Sequence, residues 1–311
     1  MTKTNIGLAY GDYGAGPPDQ ASPPPDDVQQ AIEHCRERSL ESSGTFHHAF
    51  RLFPEHKQNA LHVLYEFCRQ VDDAVDEPGA VEIKQERLAE LDRGLRHGGE
   101  GPLWTALGWV RQQYSIPRHL FEDLIKGARR DIGTVVIQTI DQLYDYCYCV
   151  AGTVGLMTLR VMGYRHDLCP QYSLSMGRAF QLTNILRDVA EDRERDRCYL
   201  PVFLMEKYNA RQSWENRNVD QRLLGVLEEL ARRARLNFRR SVALIEHVNE
   251  DSRWPLAMMA SAYSWYLRRI EDRNFPLSDP PSLGILTVSR LLYRSWRAVR
   301  TGRHERCLML R

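Results

Sequence analysis

The chain has 311 residues, 43% hydrophobic and 27% charged, the balance of a soluble globular protein holding one large domain or two ordinary ones. Collagen-like, fully disordered and disulfide-stapled miniature classes are excluded, and a formal charge of +1 gives the chain no electrostatic attraction to nucleic acid. That total hides a division: residues 290–311 carry seven Arg and one Glu, or +6, which leaves −5 for residues 1–289.

Residues 1–26 hold five Pro and four Gly among small polar residues. Such a segment buries too little apolar surface to offset its chain entropy and reads as a disordered lead-in. From Asp27 to Phe275 apolar residues return at three and four, as at Leu61, Leu64, Tyr65, Cys68 and Val71, which predicts helices almost throughout. Thr134, Val135, Val136 and Ile137 form a run instead of an alternation, so no strand is expected there. Breaks are expected at Pro54, Pro78, Gly98, Pro102, Pro117, Gly163, Pro170, Pro201 and Pro255, delimiting about ten helices. No repeat or composition shift marks a second domain, so residues 27–275 are expected to form one all-α domain. Residues 276–311 then read as a Pro-rich linker and a basic amphipathic helix.

Seven cysteines, an odd number without a CxxC pair or zinc spacing, read as reduced thiols of a cytosolic chain. The N-terminus lacks the apolar run of a signal peptide and the Arg content of a transit peptide. The most apolar stretch, residues 154–162, is broken by Arg160, so no membrane-spanning helix is expected.

Two carboxylate clusters carry the chemistry. Asp72 and Asp76 stand four apart at the end of the helix that follows Pro54, on one face, roughly 5 to 6 Å apart at Cβ. Like charges there repel, and carboxylates at a helix C-terminus also oppose the macrodipole. A solvated helix end is the plainer account of this cluster alone. Farther on, Asn184, Asp188 and Asp192 repeat the interval of four along an otherwise apolar helix. Mg²⁺ favours oxygen ligands, keeps several waters and is held by one or two carboxylates plus substrate phosphate oxygens. Two facing DxxxD stripes can therefore bridge such ions to a diphosphate. No GxxxxGK[ST] loop or GxGxxG turn offers a nucleotide cradle. Arg69 and Arg187 stand beside the stripes as partners for diphosphate; either can instead pair with its neighbouring Asp, and Arg187 is equally suited to that.

Segment 65–77, segment 146–155 with its Tyr146-Cys147-Tyr148 start, and segment 181–192 followed by Arg197-Cys198-Tyr199-Leu200-Pro201 resemble the signature blocks of the phytoene synthase and squalene synthase family. The resemblance runs in order from about Ala31 to Phe275. It implies an all-α isoprenoid synthase fold, a helical bundle around a central cavity, that joins two prenyl diphosphates head to head through a cyclopropylcarbinyl diphosphate intermediate. By matching motifs, Asp72 and Asp76, with Asp73 beside them, would hold Mg²⁺, or Mn²⁺ as the alternative ion, for one diphosphate. Asn184, Asp188 and Asp192 would do so for the other. The resemblance also implies that Tyr65 and Arg69 meet diphosphate or metal-bound water, that Gln181, Val150 and Phe46 reach the cavity, and that Tyr146 lies near the reacting carbons. Phe46, Phe50, Tyr65, Tyr146, Tyr148 and Phe180 are candidates to face a carbocation.

The chain departs from the family pattern at Gly44, at Asp196 where a Gly is usual, after Asp131, and in its Pro-rich tail. The Tyr146 block and Ser252-Arg253-Trp254-Pro255 are similar to phytoene synthases, which implies two geranylgeranyl diphosphates and no reductant. The alternative product is presqualene diphosphate, dehydrosqualene or squalene from two farnesyl diphosphates, with NADPH required only for squalene. Chain length would be set at a cavity floor near Phe50 and His62. A non-catalytic assembly protein would have lost the acidic ligands, and a phosphohydrolase built on His166 and Asp167 lacks a second His at suitable spacing. The +6 tail, with Tyr293 and Trp296 among its Arg residues, suits peripheral contact with an anionic membrane as well as packing on the domain.

Overall fold

The computed structural model describes residues 23–41, 47–216, 219–276 and 281–310. Its helices pack around the helix Cys169–Arg187, which touches Gln221–Ser241, Thr153–Met162 and Glu250–Asp272. Central burial explains why that helix is apolar on most sides. Gly177 lets it approach closely, since a Cβ there would stand 2.8 Å from the Ala151 carbonyl oxygen.

The first acidic helix, Glu55–Asp76, starts after Pro54 and buries Leu61, Leu64 and Val71 of the predicted stripe together with Phe67 and Val75, while Tyr65 and Cys68 are partly buried. Phe67 meets Phe121 edge-on at 5.2 Å, fixing it against the helix Arg118–Ala128. It stops at Glu77, whose backbone turns extended (φ −60°, ψ 143°) ahead of Pro78. At its other end the buried Lys57 Nζ donates to Met162 O (2.9 Å), Asp251 Oδ1 (2.7 Å) and Ser252 Oγ (3.1 Å), clamping three helices together.

Four local readings are corrected. Val135–Val136 does form a strand, paired in parallel with Arg197–Cys198; two residues are too few to display alternation, and the partner lies about sixty residues away. Pro255 does not break the chain but sits buried inside the helix Glu250–Asp272. Residues Tyr148–Gly152, within a segment expected to be α-helical, form a π-helical turn, a feature that recurs at functional sites. The second acidic stripe does not lie on one helix, because Cys169–Arg187 ends at Asp188 (φ −103°, ψ 12°) and Val189–Glu194 starts anew.

The seven cysteines are free thiols. The C-terminal helix Ile285–Arg300 packs Val288, Leu291, Ser295 and Ala298 against the Glu250–Asp272 helix, and Trp254 donates to Ser295 Oγ (3.2 Å). The opposite side leaves Leu286, Tyr293 and Trp296 exposed beside Arg290, Arg297 and Arg300. Among the described residues no helix is long and apolar enough to cross a membrane.

Candidate active site

A cavity of about 510 Å³ opens between the helices, within the size range of small-molecule sites. Its walls follow helical phase. Glu55–Asp76 supplies Leu61, Leu64, Cys68, Asp72 and Asp76, one stripe that is apolar at depth and acidic at the mouth. Cys169–Arg187 repeats the gradient with Ser173, Met176, Phe180, Gln181 and Asn184, continued by Asp188 and Asp192. The deep end is closed by Leu61, Met162, Leu244 and Leu256, and Phe180 stacks on Tyr263 (4.1 Å, 14°) along one wall. The two clusters far apart in sequence thus face one space.

Asp72, Asp76, Asn184, Arg187, Asp188 and Asp192 all line this cavity, as do Tyr65, Tyr146, Val150 and Gln181. Arg69 and Asp73 do not line it: they pair with each other (Nε to Oδ1, 3.0 Å) on the outer side of their helix. Phe46 lies outside the described residues, with Gly44. Phe50 lines the cavity, whereas His62 is off it, buried behind Phe50, whose ring it meets edge-on at 5.5 Å.

Electrostatics at the mouth are strained. Burial, then Asp76 and Asp131, push Asp72 up to about 7; burial, then Asp188, push Asp192 up to about 7 as well. The Asp72 side chain opens onto the cavity while protein surrounds it on the larger scale. Arginines answer the remaining charge. Asp76 is held by both Arg195 and Arg197 at 2.8 Å, and Asp188 takes a two-pronged pair from Arg187 at 2.7 Å, with the guanidinium 5.5 Å over the Tyr266 ring. Asp196 between the two arginines adopts φ +56°, the left-handed conformation that a Gly takes without strain.

Among the described residues no three His, Cys, Asp or Glu side chains converge as a ready-made site. The donors stand on opposite walls, as they must if ions are shared with substrate oxygens. Asn184 Oδ1 is buried without a hydrogen-bond partner, its amide nitrogen lying 3.5 Å from Gln181 Oε1. A buried acceptor left open between carboxylates fits an oxygen-seeking cation. The residues present fit a divalent metal.

Sequence reasoning missed Asp131, Tyr199, Arg195 and Arg197. Asp131 lines the cavity and accepts hydrogen bonds from Tyr146 (3.0 Å) and Tyr199 (2.8 Å). Burial pushes it up to about 6 against the opposing pull of Tyr199 and Arg197. A signal existed, since Asp131 and Arg197 to Tyr199 stood in matched segments, but no periodicity linked them.

The model of the squalene/phytoene synthase family matches residues 40–296. The chain belongs to this family. As a squalene/phytoene synthase it is a prenyltransferase that joins two prenyl diphosphates head to head, in a family with general divalent-metal dependence. It is 34% identical over 265 residues to the 15-cis-phytoene synthase of Synechococcus elongatus, covering 80% of this chain and 86% of that one. To the 15-cis-phytoene synthase of Synechocystis sp. it is 32% identical over 293 residues, covering 89% and 87%. In structure it is similar to a dehydrosqualene synthase solved with a ligand (TM-score 0.82, 28% identity, 88% of this chain and 98% of that one). A squalene synthase from Alicyclobacillus acidocaldarius shares the fold at TM-score 0.75 and 24% identity, over 81% and 97% of the chains. The expected all-α isoprenoid synthase fold is confirmed.

Proposed function

We propose that this synthase joins two geranylgeranyl diphosphates into phytoene without a reductant, as a step of carotenoid synthesis. The observation that carries the reading is the cavity itself: an apolar chamber for prenyl chains whose mouth alone is lined by two carboxylate stripes and the open Asn184 Oδ1. Likeness to two 15-cis-phytoene synthases supports the product.

On this reading Asp72 and Asp76 hold Mg²⁺ from one wall and Asn184, Asp188 and Asp192 from the other, with Mn²⁺ able to replace it. The ions would supply charge neutralisation of the departing diphosphates. Arg187, Arg195 and Arg197 meet diphosphate oxygens once their carboxylates are shared with cations. Tyr65, Val150 and Gln181 shape the walls, and Tyr146 stands near the reacting carbons. Arg69 and Asp73 act from outside the cavity by orienting the helix end that bears Asp72. Aromatic faces of Phe50, Phe180 and Tyr263 stabilise cationic carbon and exclude water.

The test is incubation of the purified protein with Mg²⁺ and either geranylgeranyl or farnesyl diphosphate, with and without NADPH. Phytoene from the longer substrate, independent of NADPH, is expected. Presqualene diphosphate, dehydrosqualene or squalene from farnesyl diphosphate as the preferred outcome would establish the second reading, which the dehydrosqualene synthase neighbour favours. No condensed product from either sinks both.

The chain is proposed to be cytosolic with peripheral membrane contact. The outward Arg290, Tyr293, Trp296, Arg297 and Arg300 suit an anionic lipid surface. Because the inner side of that helix is buried, removing it would disturb the fold, so the test is Tyr293→Ser with Trp296→Ser in liposome sedimentation. Undiminished binding refutes the contact.

A further inference from the structure

Ten Ser and Thr side chains of the described residues are buried, and nine of their hydroxyls have hydrogen-bond partners. Ser173 is the exception. It is buried on the helix Cys169–Arg187 and lines the cavity, yet its Oγ has no partner among the described residues. Thr153, Thr183 and Ser261 show the usual recourse of a buried helical hydroxyl, since each donates to the carbonyl four residues back at 2.7 or 2.8 Å. The Ser173 hydroxyl lies instead at the seam with the helix Thr153–Met162, where a Cβ on Gly155 would stand 3.0 Å from its Oγ. Thr158 follows Gly155 by three residues and so shares its face. It too lines the cavity, and its hydroxyl is unpartnered among the described residues. Two open hydroxyls thus stand beside Val154, Met157, Met162 and Met176, in the apolar part of the chamber.

Their depth gives them a consequence. Ser173 comes eleven residues before Asn184 on one helix, about 16 Å down the axis from the mouth. C–C bonds of about 1.5 Å advance an extended chain by roughly 1.25 Å each, so the twelve-carbon backbone of farnesyl reaches about 14 Å and the sixteen-carbon backbone of geranylgeranyl about 19 Å. A farnesyl tail on this wall therefore stops short of Ser173, and the fourth isoprene unit of geranylgeranyl must lie across it toward Thr158. An open hydroxyl is served by water; an apolar chain laid over it leaves donor and acceptor unpaired, which weakens binding roughly 5- to 150-fold. Burial of five more carbons favours the longer chain by about fourfold each, roughly a thousandfold in all. Geranylgeranyl still wins, by a narrower margin than an all-apolar wall would give it.

Resting on the proposed joining of two prenyl diphosphates, we propose that Ser173 and Thr158 are specificity-determining residues, a polar rung in the chamber wall that restrains the preference for geranylgeranyl over farnesyl diphosphate. The rung meets the fourth isoprene unit and not the diphosphate, so it acts independently of the acidic mouth.

The experiment compares the wild-type protein with Ser173→Ala, Thr158→Val and the double variant, using Mg²⁺ with geranylgeranyl and farnesyl diphosphates and with their unreactive thiolo-diphosphate analogues. In the double variant the ratio of kcat/KM for geranylgeranyl over farnesyl diphosphate rises about tenfold. Calorimetric affinity for the geranylgeranyl analogue rises by the same factor, and affinity for the farnesyl analogue does not follow it. Thr158→Ser retains the hydroxyl and retains the wild-type ratio. A ratio unchanged within about twofold overturns the rung. So does an equal gain for both chain lengths, which would make Ser173 a small residue for close packing at Gly155. If Ser173→Ala does not fold, Thr158→Val, which keeps the side chain's shape, still decides the matter: a ratio raised threefold or more supports the rung and an unchanged ratio overturns it. A wild type that forms no condensed product fails the function reading itself, and the two analogue affinities then test the rung without turnover.

Discussion

Mg²⁺ binding to the metal-free protein should release protons, and the amount follows from the two carboxylates that burial and like charge push up to about 7, Asp72 and Asp192. A cation needs the ionised form, so protons must leave when it binds. With both groups near 7, each is roughly nine-tenths protonated at pH 6 and almost fully ionised at pH 8.5. Binding should therefore release close to two protons at pH ~6 and almost none at pH ~8.5, and apparent affinity should fall about tenfold per carboxylate between pH ~8 and ~6. Calorimetric titration in two buffers of different ionisation enthalpy reads the proton count directly, without turnover. Asp72→Asn should remove about half of it. Equal heats in both buffers at pH 6, or an unchanged count in Asp72→Asn, would refute the assignment of these carboxylates to the cation.

The same shifts fix the sign of the stability change. A folded-state pKa raised above the unfolded value contributes stability that is complete below about 4 and lost as pH rises through about 7. These carboxylates therefore weaken the metal-free fold as pH climbs from 4 to 7, and saturating Mg²⁺ should raise the melting temperature more at pH 8 than at pH 6.

Three substitutions probe the frame. Gly177→Ala would place a Cβ 2.8 Å from Ala151 O and 3.2 Å from Gly152 Cα; the gain of about 1 kcal/mol in helix propensity is smaller than an overpacking cost of roughly 1–3 kcal/mol. A lower denaturation midpoint and a lower kcat are expected, because the displaced segment carries Val150, and an unchanged midpoint would contradict the packing. Lys57→Met removes three hydrogen bonds from a buried ammonium. Ser252 Oγ still serves Met162 O at 3.0 Å and Asp251 is partly exposed, so a loss of about 2–3 kcal/mol is expected in urea denaturation. Leu256→Trp fills the floor. With each buried CH₂ worth about 0.8 kcal/mol, it should lower kcat/KM for geranylgeranyl diphosphate by at least about tenfold relative to farnesyl diphosphate, and an unchanged ratio would place the floor elsewhere.

Helical periodicity exposed the bundle and both acidic stripes because side chains four apart share a face whatever the tertiary context. Its failures share one origin, contacts distant in sequence. Residues 184–192 keep the interval of four across the break at Asp188, with no Gly or Pro to mark it; the Arg187–Asp188 pair sits at that break and is a feature of the folded mouth. Pro255 reads as punctuation until its burial is known. A two-residue strand has no pattern to find, yet it delivers Arg197 and Tyr199 to the cavity.

The opening charge division takes its meaning from the same contacts. Counted along the chain, the body is −5 and the tail +6. Counted in space, the acidic mouth already contains its own cations, since Arg187, Arg195 and Arg197 neutralise Asp188 and Asp76 within the body. On the proposed reading these arginines are the ones that must change partners. Mg²⁺ entering between the stripes competes for Asp76 and Asp188, and each carboxylate it takes releases guanidinium donors toward the incoming diphosphate. Metal and substrate should then bind with positive coupling, because each supplies the partner that the other displaces.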